Sequence, residues 1–308
     1  MKMIAAGTDI SELVGKVAWS GDEAQYARKL SFSYAHTNRD DNIAKADIPL
    51  GSRVVMYDDA GQLKFDGVAV SQEKSEAGVE LRLDCRDMAF YLRSKVYNTY
   101  KGSPAQIVEM VCSEFGIPVG TLYDVPETVS VVSTGEKDVY QIMKAAYEAA
   151  GVEISICMEG LAVCTEIPGT RLAAIYTGDD SVTDAVYKSS MENLVDQVYI
   201  LNKNGKFLRA VQNEEDMAAY GTVREIYKVE DSKKDADAEA KKLIKSVENS
   251  GSIEVKAEDY EAVTGRSVMI MKAGSSITGD FIIVSDSHSI ENGNHTVKLG
   301  LDFKGVEA

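Results

Sequence analysis

Residues 13–92 read as β-rich, a series of short apolar-bearing runs cut by turn signals. Leu13-Val14-Gly15-Lys16-Val17-Ala18-Trp19 and Lys29-Leu30-Ser31-Phe32-Ser33-Tyr34-Ala35 read as strands, the second in strict alternation. Arg53-Val54-Val55-Met56-Tyr57, Gly67-Val68-Ala69-Val70-Ser71 and Val79-Glu80-Leu81-Arg82-Leu83-Asp84 follow. The turn clusters Asp58-Asp59-Ala60-Gly61 and Glu76-Ala77-Gly78 separate them. Short strands at this spacing predict a small barrel or sandwich.

From about Val96 the period changes to that of helices. Ser103-Pro104, with Gln106 three residues after the serine, starts a helix with Ile107, Val108, Val111, Cys112 and Phe115 on one face. Gly116 ends it. Asp138 with Gln141 starts a second, with Val139, Ile142, Met143, Ala146, Tyr147 and Ala150 as its apolar stripe and Gly151 as its stop. A hairpin, Val152–Met158 with Leu161–Ile167, completes a compact α/β unit. Beyond it the strand pattern returns in Val195–Leu201, with Asn204-Gly205 as a turn. Asp235–Val247 reads as one amphipathic helix with a narrow stripe of Ala236, Ala240, Leu243, Ile244 and Val247. Asp237 and Lys241 are spaced for an i,i+4 pair, and the charged side is a solvated face.

One pattern repeats. Gly51–Ser71 lies on Gly265–Ser285 without a gap at a constant offset of 214, with five identities in 21 positions. The identities are Gly51/Gly265, Val54/Val268, Asp66/Asp280, Val70/Val284 and Ser71/Ser285. After a loop of different length, Leu81-Arg82-Leu83-Asp84 answers Leu299-Gly300-Leu301-Asp302. So long a period indicates duplicated domains rather than a solenoid. The expectation is two related β domains bracketing an α/β insert, a pseudo-dimer within one chain. Three such chains around an axis would present six similar barrels.

Composition narrows the chemistry. The 33 Lys and Arg against 49 Asp and Glu give a net charge of −16, with no basic tract, which argues against a nucleic-acid-binding role. The excess would keep the chain soluble. No apolar run approaches a membrane span, and the start, with one Lys and then Asp9, does not read as a signal peptide. Cys85, Cys112, Cys157 and Cys164 form no CxxC pair and are expected as reduced core thiols. With a turn at Glu159-Gly160, Cys157 would face Ala162. His288 and His295 flank Glu291–Asn294 and are expected in a hairpin loop; His36 is expected at a strand end. Tyr97 and Tyr100 fall in a linker-like stretch, Lys95–Gly102, as exposed contact candidates.

The order of these pieces resembles a known family. Ser103–Val108 through Glu114-Phe115-Gly116-Ile117-Pro118-Val119-Gly120, Asp138–Met143, Ser190-Met191-Glu192-Asn193-Leu194 through Ile200, and Ala219-Tyr220-Gly221 with Arg224-Glu225 look like the tail-hub proteins of contractile phage tails and phage-tail-like particles. The likeness is to the hubs of PBSX-like defective prophages, the XkdQ/YqbQ-like group. It implies a mainly β fold with an α/β part: tube-type β-barrel domains at 1–95 and 176–308, the latter with an added helix near 235–248, bracketing an α/β domain at 96–175. It implies a virion structural protein, a symmetry adapter in a contractile injection system or tailocin, located in the baseplate of a particle made in the bacterial cytoplasm. Implied partners are two further copies in a homotrimer, the tail tube protein, the central spike, and the tape-measure and inner baseplate proteins. No specific nucleic acid or stable membrane insertion is implied. It carries over no catalytic residue, cofactor or metal ligand.

An enzyme and a binding module are the two other classes open to such a chain. A cell-wall hydrolase needs paired carboxylates across a cleft. Asp58-Asp59, Asp179-Asp180 and Glu214-Glu215-Asp216 read instead as solvated turns. A peptidoglycan-binding module would place binding in the α/β insert, which otherwise packs on the barrels. Neither GxGxxG nor GxxxxGK[ST] occurs, and Trp19 with the 15 Tyr form no stacking ladder.

Overall fold

The computed structural model describes residues 1–35, 46–74, 80–177, 182–229, 235–256, 260–271, 278–291 and 293–302. They fall in two units, Met1–Ala185 with Ser252–Ala308, and Val186–Gly251. The alternating N-terminal segments form β1 (Lys2–Ala5), β2 (Thr8–Asp9), β3 (Val14–Asp22), β4 (Lys29–Ala35), β5 (Arg53–Tyr57), β6 (Leu63–Lys74) and β7 (Glu80–Asp87). Next come β8 (Lys95–Gly102), α1 (Pro104–Glu114), β9 (Val129–Asp138), α2 (Val139–Ala149), β10 (Ser155–Glu159), β11 (Ala162–Glu166) and β12 (Leu172–Thr177). The chain enters the second unit along β13 (Val182–Ser190). There it forms β14 (Gln197–Leu201), β15 (Phe207–Gln212), α3 (Glu214–Tyr220), β16 (Arg224–Lys228) and α4 (Ala236–Lys241). It returns along β17 (Glu248–Lys256) to β18 (Ser267–Met271), β19 (Thr278–Glu291) and β20 (Asn294–Asp302).

The molecule is mainly β with an α/β part, as expected. Its large sheet is curled into a half-barrel. The strand order is β13-β17-β20-β19-β3-β4-β7-β6-β5-β1-β2, with β18 on β19 and β12 parallel to β18. Alternate side chains of the first half, among them Trp19, Phe32, Tyr34, Met56, Phe65 and Leu83, form one core. Phe281, Ile283, Val297, Leu299 and Leu301 belong to another. Between them in sequence, α1 and α2 bury Ile107, Val111, Ile142, Met143 and Tyr147 in a third core with β8 and β9. Both helices begin in capping boxes, at Ser103 with Gln106 and at Asp138 with Gln141. Each satisfies two otherwise orphaned N–H groups.

The repeated segment forms the same hairpin twice. Val54 lies opposite Gly67, Val55 opposite Asp66 and Met56 opposite Phe65. At the offset of 214, Val268 lies opposite Phe281, Met269 opposite Asp280 and Ile270 opposite Gly279. Gly51 N–H donates to Ala69 O and Ala69 N–H to Ser52 O; Gly265 and Ile283 repeat the pattern with Ile283 and Arg266. Gly51 and Gly265 share a left-handed φ, +82° and +91°, where a Cβ would strain the backbone. The bulge in β6 between Ala69 and Ser71 recurs in β19 between Ile283 and Ser285. The last strand departs from the sequence match. Cys85, opposite Ala69, answers Leu301, opposite Ile283. Leu81–Asp84 is therefore matched two residues out of place with Leu299–Asp302. A slip of two keeps every side chain on its face, so the wrong pairing fits the pattern equally well.

Other details also differ from the expectations. Leu13 closes a 3₁₀ turn, Ser11–Leu13, before β3. The helix expected over Asp235–Val247 stops at Lys241, because Lys245 leaves to exchange backbone hydrogen bonds with Val195. Glu159 pairs with Ala162, so Gly160-Leu161 is the turn and Cys157 lies opposite Cys164, not Ala162. Lys95–Gly102 is a strand rather than a linker. Tyr97 is 81% exposed while Tyr100 is buried at 3%, as an odd spacing along a strand requires.

Gly67 sits where β6 crowds β7, and a Cβ there would collide with the Arg86 carbonyl oxygen, a backbone atom with no freedom to yield. Gly15 has open space. Gly67→Ala is therefore expected to lower unfolding free energy by about 2–3 kcal/mol, and Gly15→Ala by less than about 0.5 kcal/mol. Urea denaturation of the two variants checks this; equal effects would contradict it.

Candidate functional site

A connected polar cluster of the first unit lies where β3 meets β19. These strands pair from Asp22 opposite Ser285 to Lys16 opposite Glu291. The chain ahead of β4 is fixed there by Asp87, whose carboxylate accepts from the backbone N–H of Arg28 at 3.2 Å and of Ala89 at 3.1 Å. Arg28 reaches across to Asp286 with both ends of its guanidinium, Nη1 to Oδ1 at 2.8 Å and Nη2 to Oδ2 at 2.5 Å. Gly21 leaves room for it: a Cβ there would meet Arg28 Nη1 and Asp286 Oδ1. Arg28 also stacks over the Trp19 ring, 4.2 Å from its centroid.

On the other side Asp286 Oδ1 accepts from Thr264 N–H and Oγ1, both at 2.7 Å. His288 Nε2 lies 3.3 Å from Asp286 Oδ2 and 3.2 Å from Ala262 O, so this nitrogen carries a proton shared between two acceptors. His288 Nδ1 lies 3.0 Å from His295 Nε2, and the rings of Trp19 and Tyr260 close over the pair. The histidines are thus buried in strands β19 and β20, not in a loop. Opposed strands bring residues seven apart in sequence face to face.

Burial opposes charge on both carboxylates. For Asp286 burial would raise the carboxyl, but the Arg28 guanidinium and the hydrogen bonds from His288 and Arg28 hold it well below the usual range. Asp87 has weaker compensation. Burial, offset in part by the Arg28 and Ala89 N–H groups, pushes it up to about 6.

This arrangement locks side chains instead of offering a reactive one. His288 is fully buried, and both of its nitrogens are engaged, so this imidazole is not open to a reacting atom. A cleft of about 750 Å³ lies beside the cluster, with Trp19, Arg28, Asp87, Lys144, Tyr260 and Arg266 in its lining. All four cysteines are free, and burial pushes the Cys85, Cys112 and Cys157 thiols up to about 12. Among the described residues no group of three or more His, Cys, Asp or Glu is placed to hold a metal ion. The acidic runs do not converge. Asp58 anchors a turn by accepting from Gln62 N–H, Asp59 meets the N-terminal amine, and Glu214-Glu215-Asp216 form the first turn of α3. His36 and Asp179-Asp180 lie outside the described residues. Sequence reasoning missed Arg28 and Asp286, because 258 positions separate them and no local pattern marks either.

A family model described as YQBQ-like matches residues 17–302. In fold the chain is similar to the 43 kDa tail protein of prophage MuSo2 from Shewanella oneidensis (TM-score 0.76, 13% identity, 97% of this chain and 95% of that one). It is similar to the tail protein from Neisseria meningitidis MC58 (TM-score 0.70, 15% identity, 99% and 97% covered). It also resembles the E. coli c3393 protein, a type VI secretion system component described as structurally similar to the T4 tail proteins gp27 and gp5 (TM-score 0.57, 12% identity, 98% and 76% covered). No curated protein matches the sequence.

The two carboxylates act in opposite pH windows. Asp286, lowered in the fold, contributes stability that is present above about pH 4 and lost below it; Asp87, raised in the fold, contributes stability that is lost as pH rises from about 4 through about 6. Asp87→Asn is therefore expected to gain on the wild type by up to roughly 3 kcal/mol between pH 4 and pH 7. Urea titrations of both proteins across that range check it, and a pH-independent difference would refute the assignment. Asp286→Asn, which strands the Arg28 charge, is expected to cost about 3 kcal/mol or more at pH 7.

Proposed function

We propose that this chain, which belongs to the YQBQ-like family, is a structural component of a phage tail or phage-tail-like particle, acting without catalysis of its own. The observation that carries the reading is the likeness in fold, over nearly the whole length of both chains, to two tail proteins, one of them from a prophage. We infer more finely that it is a baseplate hub. Three copies form a ring that joins the tail tube to the central spike and continues the tail channel. Tube, spike, tape-measure and inner baseplate proteins are its neighbours.

The repeated hairpin supports this finer reading. Two domains sharing a register, a bulge and a left-handed glycine make each chain a pseudo-dimer. A threefold ring of pseudo-dimers presents near-sixfold symmetry on one side while remaining threefold on the other. We assign the first barrel to 1–95, the α/β domain to 96–175 and the second barrel to 176–308. The unit Val186–Gly251 is then an insertion that begins within β13 and ends within β17.

Quantitative mass spectrometry of sedimented particles tests the role. A few copies of this chain against many of the tube protein are expected. High copy number would make it a tube or sheath protein; absence from particles, with the chain free or at the cell wall, would restore the hydrolase or peptidoglycan-binding readings. Light scattering on assembled hub should give three times the 33.5 kDa chain mass, and a stable hexamer or monomer within particles would overturn the symmetry argument.

A further inference from the structure

The second unit has a sheet with one face covered and one face open. The order is β15-β14-β16. Val198 and Ile200 of β14 are fully buried with Ala240 of α4, and Val211, Tyr227 and Val229 pack beside them. Alternation sends Tyr199, Ala210, Ile226 and Arg224 to the other face, where Tyr199 lies opposite both Ala210 and Ile226. The open face of a half-solvated sheet is ordinarily polar. Here Phe207 is 49%, Leu208 47% and Ile226 52% exposed. Phe207 meets Tyr199 edge to face, with ring centroids 4.8 Å apart.

The charge of this face is one-sided. Val186–Gly251 carries 11 Lys and Arg against 12 Asp and Glu, near balance in a chain of net charge −16. Glu225 alternates to the helix side, and the remaining described acids of the unit's strands and helices lie in α3, α4 and β17. The open face of the three strands holds Arg224 and Lys228 and no carboxylate. Arg224 is already positioned: its guanidinium stacks 3.9 Å from the Tyr199 ring centroid, and Nε donates to Gln197 Oε1 at 2.7 Å. Gln197 is held in turn by Gln212 at 2.8 Å. Among the described residues neither Arg224 nor Lys228 pairs with a carboxylate. A guanidinium fixed in this way loses little further freedom on binding a carboxylate.

We propose that this open face docks a protein segment of alternating apolar and acidic side chains, its apolar groups covering Tyr199, Phe207 and Ile226 and its carboxylates meeting Arg224 and Lys228. Complementary charge decides the occupant, since the face is cationic and apolar together. Exposed aliphatic side chains at Leu208 and Ile226 favour a peptide over nucleotide bases, which stack on rings. The inference goes beyond the hub reading and does not depend on it.

Binding to the purified full-length chain is measured with a short peptide of alternating Leu and Glu, a control of alternating Leu and Lys, and oligothymidylate. Saturable binding of the acidic peptide is expected. It should fall at least about tenfold in Arg224→Glu and in Ile226→Asp, while Glu225→Gln, on the helix side, leaves it unchanged. Circular dichroism melts verify that each variant is folded. Arg224→Lys, keeping the charge without the planar fork, is expected to retain part of the affinity. No saturable binding, equal binding of the two peptides, or preferential binding of oligothymidylate would overturn the proposal. Self-association that Ile226→Asp abolishes would overturn it in favour of a second copy.

Discussion

The antiparallel pairing of β3 with β19 is the constraint on which the first unit depends. It joins a strand near the start of the chain to one near its end, and so makes one sheet of what would otherwise be two. Backbone hydrogen bonds supply the ladder. Specificity comes from Arg28, held by Asp87 through its backbone and by Asp286 through its side chain. An ion pair this buried adds little net stability, because desolvation offsets much of the attraction. Its effect is to penalise alternatives. Any other register of β3 on β19 would strand a buried carboxylate on one side and a guanidinium on the other.

The bulge in β19 makes the joint possible. Up to Ile282 this strand pairs with β18, and from Ser285 onward with β3. An extra residue at the change of partner bends the strand and increases its twist. The same bulge in β6 accompanies the same hairpin. A local backbone feature thus appears twice, and in the second half it lies where β19 passes from one partner strand to the next.

Rigidity rather than reactivity is what this construction achieves. The histidines donate and accept among Asp286, Ala262 and one another, and the most buried thiols are held in their neutral form. Side chains that would be nucleophiles or bases in a wet cleft are here packing and hydrogen-bonding groups. Such immobility is what the proposed structural role requires, and the exposed cationic face of β14–β16 is the docking surface proposed for it.

Local physical chemistry was legible from the residues alone. The capping boxes at Ser103 and Asp138, the Asn204-Gly205 turn, the alternation of β4 and the twin hairpins at an offset of 214 all depend on side chains a few positions apart. Their energetics are fixed before any tertiary contact forms. Pairings between distant segments were not legible. Strand periodicity is blind to a slip of two, which misplaced Leu81–Asp84 against Leu299–Asp302. Helical periodicity carried Asp235–Val247 past the point where Lys245 finds a backbone partner in Val195. The burial of His288 and His295 follows from β19 packing against β3 and β20, a choice made by the whole sheet. Sequence spacing sets what each segment is, whereas partnership across 258 residues, as between Arg28 and Asp286, is decided only when the cores close and each buried charge must find its counterpart.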